Sequence, residues 1–214
     1  TLSISVFISG MATMAVEFLA SRLLGNVFGT SNIVWASIIG LILLYLTAGY
    51  WLGGKLADRS PQIKNFYQIM IWAGFAIGII PIVSRPILQV SADAFDQLAL
   101  PILFGSFASV LILFIIPVTL LGMIPPFALR LNISETNQAG KISGRLSAIS
   151  TLGSFLGTFV TVLIFIPLIG TYRSFIIFSL LVTAIALLGL WVSNHKRLVL
   201  TYAWIPLLVL LIGY

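Results

Sequence analysis

The sequence predicts an all-α membrane protein that crosses the bilayer several times. Of its 214 residues, 60% are hydrophobic and only 7% are charged, whereas a soluble domain carries about 25% charged residues. The mean hydropathy is +1.16. The apolar runs are continuous and about 20 residues long, which suits helices that cross a hydrocarbon layer about 30 Å thick. A transmembrane β-barrel would instead alternate apolar and polar residues over segments of about ten.

The composition also excludes several other classes of protein and of site. High hydrophobicity with little charge is the opposite of the pattern typical of disordered chains. The sequence contains no cysteine, so disulfides, thiolate metal ligands and cysteine nucleophiles are excluded. The net charge of +6 does not indicate nucleic-acid binding, because the basic residues lie at the ends of predicted helices. We expect no cofactor and no metal, and the sequence shows no catalytic site.

Seven apolar segments are long enough to form transmembrane helices. They cover approximately residues 2–24, 32–52, 66–83, 98–124, 142–168, 172–192 and 198–214. The third ends near Pro81 and Pro86, and the amphipathic residues 87–97 are expected to lie along the membrane interface. Because the sequence lacks an initiator Met and ends in an apolar run, we expect it to be one transmembrane domain of a longer protein.

The distribution of Lys and Arg predicts the orientation of these helices. Eight basic residues follow the even-numbered helices: Lys55, Arg59, Lys64, Arg130, Lys141, Arg145, Lys196 and Arg197. Three follow the odd-numbered helices: Arg22, Arg85 and Arg173. Cytoplasmic loops are enriched in basic residues. We therefore expect a protein of a bacterial or archaeal inner membrane whose even-numbered loops lie in the cytoplasm.

Glu17 is the only acidic residue predicted to lie within the hydrocarbon layer. A carboxylate there costs about 3 kcal/mol on insertion scales, so it normally faces a cavity or a partner. A set of small and polar residues shares its helix face by spacings of three and four: Gly10, Thr13, Glu17 and Ser21. Two interpretations are open. Either Glu17 faces a substrate or couples proton movement, or it pairs with Arg22 or is protonated and merely hydrogen-bonded.

The predicted fifth helix carries two adjacent stripes. The polar stripe contains Ser147, Thr151, Ser154 and Thr158, and the small-residue stripe contains Ser150, Gly153, Gly157 and Thr161. Small residues let two helix backbones approach closely, and hydroxyl groups can either contact a solute or bond back to their own helix. The residues predicted to bind a solute are therefore Glu17, Thr13, Ser21, Ser147, Thr151 and Ser154.

Further glycine and proline positions predict close packing and a bend. Glycines four residues apart occur in the second and third predicted helices, at Gly49 and Gly53 and at Gly74 and Gly78. Pro117 lies inside the fourth predicted span, where the missing amide donor is expected to kink the helix. A kinked helix can line a moving pathway or serve packing alone.

The segment after the second predicted helix reads Gly53-Gly54-Lys55-Leu56-Ala57-Asp58-Arg59. It resembles the G-x-L-A-D-R loop between the second and third helices of the major facilitator superfamily. Asp58 can cap the following helix and attract a basic residue, for which Arg130 and Arg145 are candidates. A basic turn that only anchors the span is the alternative. Gating or structural roles are thus predicted for Asp58, Arg59, Arg130, Arg145 and Pro117.

Several segments, taken in order, resemble the membrane region of the fused major-facilitator/spermidine synthase-like proteins. They are Gly10…Glu17…Arg22-Leu23-Leu24…Phe28-Gly29-Thr30-Ser31, the segment 53–59, Leu120-Leu121-Gly122-Met123-Ile124-Pro125-Pro126, Gly144-Arg145-Leu146, residues 150–158 and Ile166-Pro167-Leu168-Ile169-Gly170. The resemblance implies a parent protein in which such helices are joined to a cytoplasmic aminopropyltransferase-like domain. That domain would carry a Gly-rich nucleotide loop and paired acidic residues, which these 214 residues lack.

Three hypotheses follow for the helical domain. In the first, six helices form a 3+3 half of a major facilitator transporter, and a homodimer completes the cavity. The resemblance implies a polyamine or related cation as solute, with Glu17 as its counter-charge. In the second, the helices hold a synthase-like enzyme at the bilayer and feed it substrate or export its product. In the third, they are only an anchor. The expected partners are the lipid bilayer, a small cation and a second copy.

Overall fold

The computed structural model describes the backbone of residues 2–98, 102–133 and 139–213, and it is helical almost throughout, with no strand in these ranges. This confirms the predicted all-α class. The elements are α1 (Leu2–Phe28), α2 (Asn32–Arg59), α3 (Ile63–Leu98), α4 (Ile102–Asn132), α5 (Ala139–Phe159), a π-helical segment (Val160–Phe165), α6 (Ile166–Ile169), α7 (Thr171–Val192), α8 (Lys196–Tyr202) and α9 (Trp204–Gly213). Within the described ranges, six spans are long and apolar enough to cross a membrane.

Several helices run past their predicted ends. α3 continues through Pro81 and Pro86 to Leu98, so residues 87–97, which were predicted to lie along the interface, form the last turns of α3. α2 continues to Arg59, so the segment 53–59 is helical and not a loop. The physical reason is that an apolar environment offers the backbone no water, which makes leaving the helix costlier than tolerating one lost proline bond.

The segment predicted as a seventh span, 198–214, does not form one of the long helices. It is divided between α8 and α9 by a turn at Ala203. Pro206 lies in the first turn of α9, where its missing amide donor costs nothing. α9 packs against α3 and α7, and its Ile205 and Val209 are fully buried.

The fifth span, Ala139–Ile169, contains the π-helical segment. Its wide turn is closed by the amide of Ile166, which donates to the carbonyl of Thr161. Pro167 follows directly and lacks the amide that would bond to the carbonyl of Leu163. The segment therefore combines a π-turn with a proline, two of the usual causes of a local change in helix path.

Three helix pairs make up most of the packing, and α1 lies at their centre. α1 pairs with α5, α2 with α4, and α3 with α7, while α1 also contacts α2, α3, α4 and α7. The interior faces carry fully buried side chains such as Val16, Leu19, Phe66, Phe114 and Phe178. α4 likewise contacts α1, α3 and α5, so α1 and α4 together join the three pairs.

Glycines set the spacing of two of these pairs, because a Cβ atom at each one would overlap the backbone of the facing helix. Between α1 and α5 the contacts are Gly10 on Ser150, Gly153 on Phe7 and Gly157 on Met11. Between α4 and α2 they are Gly122 on Leu46, Gly49 on Thr119 and Gly53 on Met123. In every case the nearest or equal-nearest neighbour is a carbonyl oxygen of the partner helix.

These two sets of contacts correspond one to one. One constant difference in residue number relates the α1 positions to the α4 positions: Phe7 corresponds to Thr119, Gly10 to Gly122 and Met11 to Met123. A second shift converts α5 positions into α2 positions: Ser150 to Leu46, Gly153 to Gly49 and Gly157 to Gly53. Since α1 and α4 are an odd number of long helices apart, they run in opposite directions. The packing of α1 on α5 is therefore equivalent to that of α4 on α2, the relation expected of inverted units about an approximate two-fold axis.

Candidate functional site

Glu17 lies on the central helix α1 and is half-buried. Within the described residues the only ion pair joins Asp58 and Arg130, and Arg22 is exposed to solvent. The pairing of Glu17 with Arg22, one of the two interpretations of the sequence, is therefore not formed. The Glu17 carboxylate is left without a neighbouring charge in the part of the chain that the structure describes.

Two hydroxyls of the predicted solute-binding set are already engaged as donors. Thr13 Oγ1 donates to the carbonyl of Ser9 at 2.8 Å, within its own helix. Ser154 Oγ donates to the carbonyl of Gly10 at 3.2 Å and thereby links α5 to α1. Each oxygen keeps lone pairs with which to accept a further hydrogen bond. Ser21 is half-buried on α1, near the end of the same face.

Ser147 and Thr151 line a cleft of about 310 Å³ between α2, α4 and α5. The cleft is rich in hydroxyl groups, and the residues that line it are Tyr50, Pro125, Pro126, Leu129, Ser143, Leu146, Ser147, Ser150 and Thr151. The structure thus brings two predicted residues together with three further hydroxyls. Glu17, Thr13, Ser21 and Ser154 are not in its lining.

The two prolines of this cleft free backbone carbonyls about one turn earlier in α4, outside the lining of the cleft, which the sequence analysis did not identify. Pro125 and Pro126 both lie inside α4 and have no amide hydrogen. The carbonyl oxygens of Leu121 and Gly122, four residues earlier, therefore lack their usual α-helical donors. Carbonyls freed in this way coordinate cations in broken transmembrane helices. The signal was present in the sequence as two adjacent prolines within an apolar run.

The approximate two-fold axis relates this cleft to Glu17. The shift from α1 to α4 takes Thr13 to Pro125 and Glu17 to Leu129, and the shift from α5 to α2 takes Ser154 to Tyr50. Pro125, Leu129 and Tyr50 all line the cleft. Thr13, Glu17 and Ser154 therefore occupy the positions on α1 and α5 that are equivalent to those of the cleft residues on α4 and α2.

α2 and α5 are the least buried of the long spans. Of the six long spans, those of α5 and α2 have the smallest buried share. Their exposed apolar side chains include Leu43, Leu44, Trp51, Leu152, Phe155, Leu156 and Phe159. The cleft is lined by residues of both helices.

Asp58 and Arg130 connect the ends of α2 and α4. Arg130 Nε donates to Asp58 Oδ1 at 3.0 Å, and the two side chains are 46% and 73% exposed, respectively. Arg130 is thus the partner of Asp58, whereas Arg145 is exposed and makes no ion pair within the described ranges. Asp58 does not cap α3, because it lies in the last turn of α2 and α3 begins at Ile63. Arg59 is also exposed.

Breaking this exposed ion pair is expected to change stability little. Asp58→Asn, Arg130→Gln and the double variant should give a coupling free energy below about 1 kcal/mol in a double-mutant cycle, because water screens both groups. Thermal unfolding of the purified protein measures it, and Arg145→Gln is the matched control. A coupling of several kcal/mol would contradict the exposed geometry. If transport is lost while stability is kept, the pair has the predicted gating role.

Pro117 is separated from the hydroxyl-lined cleft. α4 continues through it without a break, and the residue lines a mainly apolar groove of about 780 Å³ between α3 and α4. At one end of this groove, Gln68 Nε2 donates to the hydroxyl of Tyr202 at 3.0 Å. Pro117 and the predicted solute-binding residues therefore do not meet in one described cavity.

These features define a class: an all-helical protein with six spans able to cross a membrane in the described part of the chain, one of which, α1, carries a carboxylate and contacts all three helix pairs. The chain is similar over most of its length to proteins named polyamine aminopropyltransferase. One, from Leptospira interrogans, is 27% identical over 214 residues, which cover 99% of this chain and 40% of the relative. Polyamine aminopropyltransferases 2 and 1 of Ralstonia nicotianae are each 25% identical over 193 residues, covering 89% of this chain.

The similarity covers only part of these relatives. The chain spans 35% and 34% of the two Ralstonia proteins, respectively, so more than half of each relative lies outside the matched region. No protein-family model matches the chain, and no solved structure matches it.

Proposed function

We propose that the chain is the transmembrane domain of a spermidine synthase-like membrane protein, and that it binds and translocates a small organic cation such as a polyamine. The observation that carries the proposal is the half-buried Glu17 carboxylate, which has no ion-pair partner in the described part of the chain. A carboxylate within a membrane span is costly without a counter-charge. An ammonium group of the solute supplies that charge.

The hydroxyl-lined cleft supports the same ligand chemistry. An alkylammonium group donates up to three hydrogen bonds and accepts none. The cleft offers hydroxyl oxygens from Ser143, Ser147 and Thr151. The ring of Tyr50 adds a surface suited to cation–π contact. A cation that leaves water exchanges its hydration shell for these groups.

The inverted packing supports an architecture like one 3+3 half of a major facilitator transporter. Half of such a transporter leaves its cavity open on one side, which here is the side of α2 and α5. In the proposal a second copy covers that side, so that a homodimer encloses the solute. The ends of α2 and α4 that carry Asp58 and Arg130 face the cytoplasm, in agreement with the excess of basic residues there.

A membrane anchor without transport is the second candidate. It is favoured by the glycine contacts and by the bond from Ser154 to Gly10, because these explain part of the small and polar stripes by packing alone. In both candidates the parent protein carries an aminopropyltransferase domain outside these residues, as the names and lengths of the relatives suggest.

Filling the cleft separates the two candidates. The variant Ser147→Leu/Thr151→Leu is expected to lower polyamine uptake by at least about tenfold, because each charge-assisted hydrogen bond lost is worth about 1.5–3 kcal/mol. Uptake of labelled spermidine into liposomes containing the full-length protein measures it. Ala148→Leu is the matched control, since Ala148 is an exposed neighbour on α5 outside the cleft. Equal uptake by the double variant and the wild type would favour the anchor.

A further inference from the structure

Two arginines converge on a cavity at the end of the bundle where α7 begins. The cavity has a volume of about 550 Å³ and lies between α3, α6, α7 and the end of α9. Arg85 of α3 and Arg173 of α7 both line it, and none of the described lining residues is acidic. Both arginines are exposed, and neither takes part in an ion pair with a side chain that the structure describes, a set that leaves out residues 92–104. The cavity is therefore lined by two positive charges without a described counter-charge.

One guanidinium group lies over an aromatic ring. The guanidinium carbon of Arg85 lies 5.2 Å from the centre of the Tyr172 ring, a distance at which cation–π attraction operates. This contact holds the Arg85 group at the cavity without neutralising it. A planar guanidinium is suited to bidentate hydrogen bonding with phosphate oxygens.

The backbone at the start of α7 adds to this positive potential. Gly170 precedes the helix with φ +80°, and no side chain caps it. The amide of Ser174 bonds to the carbonyl of Gly170, which leaves the amides of Thr171, Tyr172 and Arg173 without partners within the helix. Thr171, Tyr172 and Arg173 all line the cavity. These amides and the partial positive charge of the helix end favour an anion beside the arginines.

We propose that this cavity binds a phosphate group, with Arg85 and Arg173 as its ligands. The cavity lies near the ends of the spans Ile63–Ser91 and Thr171–Val192, and phospholipid headgroups are expected at the ends of membrane spans. Pro81, Ile82 and Ile176 form an apolar wall beside the arginines, which suits the start of an acyl chain. The site shares no residue with Glu17 or the hydroxyl-lined cleft, so it does not depend on the cation-transport proposal.

Thermal unfolding of the detergent-purified full-length protein tests the site. Phosphatidylglycerol is added in one arm, phosphatidylcholine with the same acyl chains in a second, and inorganic phosphate in a third. We expect phosphatidylglycerol to raise the melting temperature of the wild type, and Arg85→Gln/Arg173→Gln to weaken its apparent affinity by at least about tenfold. Lys141→Gln/Arg145→Gln removes the same charge from two exposed residues of α5 and is expected to retain wild-type affinity.

The three arms identify the source of the phosphate group. Stabilisation by phosphatidylglycerol alone assigns the site to a lipid headgroup, and equal stabilisation by inorganic phosphate assigns it to a soluble phosphate compound. Arg85→Lys/Arg173→Lys keeps both charges but loses the forked geometry, so an intermediate affinity is expected even if the glutamine variant does not fold. Failure of both anions to stabilise the wild type, or equal affinity in the wild type and the lysine variant, would overturn the proposal.

Discussion

Replacing Glu17 with Gln is expected to abolish polyamine uptake by the reconstituted protein. Gln keeps the size of the side chain and removes the only counter-charge for an ammonium group on α1. Losing a charge-assisted contact in a low-dielectric site costs about 1.5–3 kcal/mol or more, which lowers binding at least about tenfold. Labelled spermidine uptake into liposomes measures transport, and equilibrium binding of spermidine in detergent measures affinity.

Stability distinguishes a functional Glu17 from a structural one. Since Glu17 has no ion-pair partner in the described ranges, Glu17→Gln removes a half-buried charge that nothing offsets, and the melting temperature should stay constant or rise. Glu17→Asp retains the charge and is expected to keep measurable uptake. Wild-type uptake by Glu17→Gln would remove this residue from the mechanism, and a large loss of stability would assign it a structural role.

The fold class could be predicted from the sequence because a continuous apolar run that crosses a bilayer satisfies its backbone hydrogen bonds by forming a helix. The helix ends could not be predicted in the same way. Proline and glycine often end helices in water, but they do so less readily where no water is present to hydrogen-bond the backbone. α3 passes through Pro81 and Pro86 for this reason. The pairing of Gly49 and Gly53 with α4 also required the structure, since a small-residue spacing marks a contact face without naming the partner helix.

The candidate site was predicted in part. The four-residue spacing of Ser147 and Thr151 correctly placed both on one face of α5, and the structure adds that this face meets Tyr50 and the two prolines of α4. The face of α1 was harder to interpret, because Gly10 is covered by Ser150 while Glu17, two turns further on, is only half-buried. The same helix face thus packs against a neighbouring helix in one turn and is partly exposed in another. The spacing of residues in the sequence does not distinguish these two turns.

Replacing Gly53 with Ala is expected to lower the stability of the protein, whereas replacing its neighbour Gly54 is expected to leave it unchanged or raise it. A Cβ atom at Gly53 would lie 2.6 Å from both the Cα and the carbonyl oxygen of Met123, so Gly53→Ala forces α2 and α4 apart and should destabilise the protein by about 1–3 kcal/mol. Gly54 has no atom within 4 Å of its Cβ position. Gly54→Ala should therefore be neutral or stabilise α2 by up to about 1 kcal/mol, because alanine is the better helix former.

The approximate two-fold axis extends this prediction to the other unit. Gly157 is the equivalent of Gly53 and lies against the backbone of Met11 in the same way. Gly157→Ala should therefore destabilise the protein by a similar amount, although the two residues are far apart in the sequence. The midpoint of thermal or detergent-induced unfolding measures all three variants. A neutral Gly53→Ala would contradict the close approach of α2 and α4, and a neutral Gly157→Ala beside a damaging Gly53→Ala would contradict the equivalence of the two units.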